Sequence, residues 1–187
     1  MNKQPEVTER TRQKFVDAFW SLAKEKPINK IAVSELTRRA GYNRSTFYEY
    51  FLDTEDLLSY IEDTLLNEVK QTIQSTLPEG NSPIDMFKVL FTTMNEELYL
   101  LIGPNGDSRF FPRVRTELTP IIKSYLPISN NIEHFDYLTR YVHSAMFGLL
   151  QHWNEHGKNL SAEEMSEMMQ KLVLHGLVGY VAPEIDK

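Results

Sequence analysis

Gly41 constrains this chain more than any other residue. It separates two short segments in which apolar residues recur at helical spacing. Val33 to Ala40 turns Leu36 and Ala40 inward, and residues 44–51 carry Phe47 and Phe51 four apart. Glycine adopts the left-handed backbone that follows a helix at little cost, so Gly41 ends the first segment. Asn43 is a good N-cap and opens the second. Two helices joined by so short a glycine-containing turn, the second short and polar on one face, form a helix-turn-helix pattern.

The rest of the chain supplies helices around this motif, and strand-like alternation persists nowhere. A first helix reads from about Thr8 to Lys26, with Phe15, Phe19, Leu22 and Ala23 on one stripe and Pro27 as its stop. Asp53 or Thr54 caps a fourth helix that runs to about Leu77. Residues 78–83 are a loop, 84–102 a helix, and 103–107 a turn. An interrupted helical region covers 109–126, where Pro112 and Pro120 each mark a start or a break. After a loop at 127–131, a helix over 132–156 presents Phe135, Leu138, Val142, Met146, Leu149 and Trp153 on its inward stripe. Ser161 and Glu164 make a capping box for a last helix to about Val181, with Met165, Met169, Leu172, Gly176 and Tyr180 along one side. The expected fold is all-α. A three-helix head, residues 1–53, precedes a helical body, residues 54–187.

Composition narrows the chemistry. The chain has no cysteine, which excludes disulfides, cysteine zinc sites and thiol catalysis and fits a reducing cytoplasm. No apolar run approaches the roughly 18 residues of a membrane span. The amino-terminal residues are polar and lack a signal-peptide stretch. Through residue 53 there are ten Lys/Arg against seven Asp/Glu, and thereafter ten against nineteen. A mildly basic head on an acidic chain is compatible with nucleic-acid contact by the head. So small a surplus is also what ordinary surface variation leaves.

In a helix-turn-helix the second helix enters the DNA major groove, and its first residues meet base edges. With Phe47 and Phe51 inward, Arg44, Ser45 and Tyr48 lie on the outer face, flanked by Thr46 and Tyr50. Arginine bonds guanine bidentately, hydroxyls bond phosphates, and tyrosine does polar and apolar work. A plain helical hairpin with Arg44 in solvent has the same spacing. Residues 31–57, IAVSELTRRAGYNRSTFYEYFLDTEDL, closely resemble the DNA-binding signature of TetR-family bacterial transcriptional regulators. Val33, Leu36, Ala40, Gly41, Arg44, Thr46, Phe47, Tyr48, Phe51 and Leu57 fall in register.

The resemblance implies a homodimer on a double-stranded, palindromic operator, commonly a repressor released by a small ligand. It implies that Asn43 caps, that Arg44 and Ser45 face bases, and that Thr46, Tyr48 and Tyr50 meet phosphates. Thr54 stands where many relatives carry a phosphate-binding lysine. Glu49 stands where a basic or neutral residue is more common, and it either points to solvent or accepts from a cytosine amino group.

Other chemistry is sparse. His152 and His156, four apart, suit either a metal or the carbonyls at a helix end. Glu96 and Glu97 are adjacent and point about 100° apart on a helix, a poor acid/base pair. No phosphate-cradling glycine loop or nucleophile elbow is present, so no enzyme activity, metal or cofactor is expected. Phe87, Phe91, Met94, Phe110, Phe111, Tyr141 and Phe147 either fill the core or line a cavity for a small hydrophobic ligand. Gly148, Trp153, Met169, Gly176 and Gly179 lie on the last two helices, where small residues permit close approach of a second copy. The competing function is a helical protein–protein interaction module that keeps the helix-turn-helix shape without binding DNA.

Overall fold

The computed structural model describes residues 5–76, 89, 91, 92, 96–125 and 134–181. Among the described residues the chain forms eight α-helices and no strand. They are α1 (Pro5–Ala23), α2 (Val33–Ala40), α3 (Arg44–Tyr48), α4 (Thr54–Thr76), α5 (Glu96–Ile102), α6 (Phe110–Tyr125), α7 (Phe135–Glu155) and α8 (Ala162–Val181), with a 3-10 turn at Ile28–Lys30. The chain divides into two compact units. One comprises Met1–Asn67 and Glu96–Phe111, the other Glu68–Asn95 and Pro112–Lys187.

In the first unit, α1 buries Phe15, Phe19, Leu22 and Ala23 along one stripe. It starts at Pro5, earlier than the sequence suggests, because a proline is tolerated in the first helical turn, where its missing N–H has no partner to lose. It ends at Ala23, short of Lys26. Glu25 N–H bonds back to the Leu22 carbonyl at 3.0 Å, tightening the exit, and Pro27 disfavours a helical conformation for the residue before it. Likewise α3 stops at Tyr48 rather than at residue 51. Tyr50 N–H turns to the Phe47 carbonyl, three residues back, at 2.9 Å.

In the second unit, three expectations change. Pro120 lies inside α6, which is continuous from Phe110 to Tyr125. Its ring forfeits a single ladder bond, and the turns on either side hold the helix together. Pro112 sits in the first turn, where no ladder bond is lost. On α7 Trp153 of the expected stripe is buried, but Leu138, Val142, Met146 and Leu149 are only half-buried, whereas His143 and Leu150 are buried; the side chain of Phe135 lies outside the described residues. The apolar pattern misses this face because its first member is polar. On α8 the buried residues are Met165, Met169 and Val173, and Leu172 is 53% exposed. Adjacent helical residues diverge by about 100°, so Val173 and Leu172 cannot both follow Met169 inward.

The turn between α7 and α8 is tightly specified. Gly157 takes the left-handed backbone at φ 67°. The Trp153 indole N–H donates to the Leu160 carbonyl at 2.9 Å, and Phe91 meets the indole edge-on at 6.2 Å. Ser161 Oγ accepts from Glu164 N–H at 3.2 Å while Glu164 accepts from Ser161 N–H at 2.7 Å, completing the capping box. Most of the expected helix over 84–95, the loops at 78–83 and 127–131, and the side chain of Tyr180 lie outside the described residues.

Candidate nucleic-acid interface

One ring organises the head. Phe15 of α1 is fully buried, and Phe47 meets it edge-on at 5.2 Å, with Tyr42 at 5.5 Å, Phe51 at 6.3 Å and Tyr50 at 6.4 Å. Aromatic pairs in this range add about 0.5–1.5 kcal/mol each beyond the area they bury. The aromatic run 47–51 therefore mostly fixes α3 against α1. Polar clamps fix α2. The Arg39 guanidinium forks onto the Glu25 carboxylate at 2.8 and 3.0 Å and also reaches Ser21 Oγ. Lys26 pairs with Glu35, whose carboxylate also accepts the Ala32 N–H. Gly41 then turns the chain at φ 75°.

What α3 leaves outside is polar. Arg44 and Ser45 are exposed, Tyr48 is 56% exposed, and Thr46 and Tyr50 are half-buried, while Phe47 on the opposite face is completely covered. Asn43 caps the helix: its Oδ1 accepts the Thr46 N–H at 2.8 Å, and also the Ser45 and Thr46 hydroxyls at 2.7 and 3.0 Å. Glu49 is exposed. Asp53 rather than Thr54 caps α4, accepting the Asp56 N–H at 2.9 Å, so the half-buried Thr54 hydroxyl is not committed to the cap.

The charge on the head is sharply partitioned. Arg12, Lys24, Lys26 and Arg39 are spent on Glu9, Glu96, Glu35 and Glu25. Arg39 holds the Glu25 carboxyl below its usual range, through their hydrogen bond first. Arg10, Lys14, Lys30, Arg38 and Arg44 form no ion pair among the described residues.

One part of the head was not legible in the sequence. Residues 96–111 join the unit that contains α1–α3. Asn105 accepts the Ile28 N–H at 3.0 Å, and Arg109 bridges Asp107 at 2.7 Å and Glu55, in the first turn of α4, at 2.8 Å. Gly106 is required there, because a Cβ would fall 1.9 Å from the Leu101 carbonyl oxygen. The only local signal was the glycine turn itself; its partners are far away in the chain.

A buried aromatic hub, a left-handed glycine, a capped short helix and an exposed arginine form the framework of a DNA-reading helix-turn-helix. The family model described as "Bacterial regulatory proteins, tetR family" matches residues 15–61, and one described as "Transcriptional regulator C-terminal region" matches residues 81–175, half of the chain. The chain belongs to the TetR family. Like other members, it is a helix-turn-helix transcriptional regulator. It is 27% identical over 142 residues to an HTH-type transcriptional regulator of Haemophilus influenzae, spanning 71% of this chain and 67% of that one. It is 32% identical over 75 residues to the HTH-type transcriptional regulator EthR of Mycobacterium tuberculosis, spanning 40% of this chain but only 34% of EthR. The fold of a TetR transcriptional regulator from Streptococcus agalactiae superposes with a TM-score of 0.70 at 21% identity, covering 90% of this chain and 96% of that one.

The remaining candidate residues of this TetR-family chain are dispersed. Phe91 is buried in the second unit, and Phe110 is buried in the first. Phe111 and Phe147 are half-buried, and Tyr141 is 55% exposed. Phe87 and Met94 lie outside the described residues. Trp153 and Met169 are covered within their own chain, whereas Gly148 and Gly176 are exposed, and a Cβ at either would meet nothing within 4 Å. The surroundings of Gly179 are outside the described set. A His156 ring nitrogen bonds the His152 carbonyl at 2.8 Å at the end of α7, and no group of three metal-ligating side chains occurs among the described residues. No described helix is long and apolar enough to cross a membrane.

Proposed function

We propose that the chain is a repressor that holds a palindromic operator as a homodimer and lets go when a small hydrophobic ligand binds. Residues 1–53 read the DNA, and residues 54–187 dimerise and hold the ligand. No catalytic step is assigned. The observation that carries this reading is the two-faced α3: Phe47 is fully buried beneath it, while Arg44 above it is exposed and makes no ion pair among the described residues. An interaction module that had abandoned DNA would have no use for an uncommitted guanidinium at the start of this helix. Tyr48, Tyr50 and Thr54 supply polar groups around it, and Arg10, Lys14, Lys30 and Arg38 supply charge.

The exposed glycines Gly148 and Gly176 support a close approach of α7 and α8 to their copies. The test is a footprint of the purified protein on genomic DNA, followed by operator titration across a salt series. The expected result is a protected palindrome bound with affinity that falls steeply with salt. Absence of duplex binding even at low salt would favour the protein–protein interaction module instead. Compounds that raise the operator dissociation constant would identify the ligand.

A further inference from the structure

The hydrogen-bond wiring at Asn43 sets the polarity of the reading helix. Thr46 N–H lies 2.8 Å from Asn43 Oδ1. A backbone N–H only donates, so that atom is the amide carbonyl oxygen and not the amide nitrogen. Ser45 Oγ at 2.7 Å and Thr46 Oγ1 at 3.0 Å reach the same oxygen. A carbonyl oxygen only accepts, and its two lone pairs are met at shortest range by the Thr46 N–H and by Ser45, so the Ser45 hydroxyl donates to it. Each hydroxyl has one proton and two lone pairs. With its proton engaged, Ser45 has only lone pairs to offer elsewhere.

This excludes one partner and selects another. Phosphate oxygens are acceptors and cannot meet a lone pair. Thr46 has spent its N–H on Asn43. Ser45 is exposed, and what it offers a groove is an acceptor. In the major groove the donors are the amino groups of adenine and cytosine; guanine offers N7 and O6, and thymine offers O4 and a methyl. We propose that Asn43 turns Ser45 into a hydrogen-bond acceptor, so that Ser45 selects adenine or cytosine over guanine or thymine on the strand it faces. This rests on the DNA-binding reading above. It adds that the discrimination belongs to the Asn43–Ser45 pair and not to Ser45 alone. Arg44, next along the helix, carries only donors and is suited to the complementary base, guanine.

The experiment is selection of half-sites from a randomised duplex library by the wild-type protein and the variants Ser45→Ala and Asn43→Gly. Circular dichroism checks folding, and glycine is an accepted N-cap residue. In the wild type, one half-site position should favour adenine or cytosine by roughly threefold to tenfold, the value of one hydrogen bond. Ser45→Ala should flatten that position and leave the others. Asn43→Gly releases the Ser45 proton, and the same position should then admit guanine and thymine. Three results overturn the proposal. The Ser45-dependent position could favour guanine or thymine in the wild type. The Asn43→Gly protein could keep the adenine or cytosine preference. No position could respond to Ser45→Ala. A wild-type protein that enriches no sequence would instead remove the DNA-binding reading, and this proposal with it.

Discussion

Removing the Arg44 side chain separates a base contact from a phosphate contact. Arg44 is exposed and makes no ion pair among the described residues. Arg44→Ala therefore takes nothing from the fold, and the change in stability should stay within about 0.5 kcal/mol. Its loss at the operator is different. A bidentate arginine–guanine contact is worth about 1–3 kcal/mol of discrimination. A dimer loses two such contacts, about 2–6 kcal/mol, or roughly 30-fold to more than 10,000-fold in operator affinity. Because a base edge and not a phosphate is released, the slope of log affinity against log salt should hardly change. A lost phosphate contact would flatten it by about 0.9 per subunit. Fluorescence anisotropy on operator and scrambled duplexes across a salt series measures all of this. Two results would refute the reasoning: a folded variant whose operator affinity is within about twofold of wild type, or one that weakens equally on both duplexes with a flatter slope.

Four other substitutions have defined outcomes. Gly41→Ala meets no steric obstacle, since nothing lies within 4 Å of the new Cβ, but φ is +75°; it should cost about 1–2 kcal/mol, read as a lower denaturant midpoint. Gly148→Leu and Gly176→Leu enter open space in one chain, so each should leave the subunit folded while sedimentation shows the dimer dissociating; an intact dimer at micromolar concentration would remove both helices from the interface. His143 is held neutral, chiefly by burial and further by the charge of Arg115, against an opposing hydrogen bond to Thr139. Its pKa is thus lower folded than unfolded, and the unfolded chain takes up its proton first as pH falls. The neutral-state stability is complete above the ordinary imidazole pKa and is lost as pH drops through the folded value. His143→Leu should remove that part of the acid dependence, measured as the difference in denaturant midpoint between about pH 7.5 and about pH 5.5.

The head was largely legible because its constraints are local. Gly41 and Asn43 announce themselves through backbone demands that few residues meet, and Phe47 and Phe51 through a spacing of four. The body was less so. His143 is buried on α7, yet a search for apolar periodicity passes over an imidazole, so of the described part of the expected stripe only Trp153 is buried. Pro120 reads as a break, but one missing bond in a helix of 16 residues does not decide its fate. The docking of Asn105 onto Ile28 is a contact across most of the first unit, and a turn sequence cannot state where it will land.

Residue type also leaves hydroxyl polarity undetermined. Serine and threonine can donate or accept, so assigning Ser45 to bases and Thr46 to phosphates left open which each would do. Asn43 resolves the ambiguity for Ser45 because the N-cap that starts α3 also lies within reach of its hydroxyl. The same atom thereby serves helix stability and base choice. A substitution at Asn43 that preserved the cap through its carbonyl should preserve specificity, and aspartate is the informative case. Its carboxylate accepts the Thr46 N–H and the Ser45 hydroxyl as the amide does, so the Ser45 lone pairs still face outward. Its negative charge also favours the start of a helix. Asn43→Asp should therefore bind duplex DNA more weakly overall, through repulsion from phosphates, yet retain its preference at the Ser45 position. Selection from the randomised library reads the preference, and affinity across salt reads the repulsion. Retained affinity with relaxed preference, the opposite pairing, would mean that Asn43 governs DNA recognition by something other than the hydrogen bonds it accepts.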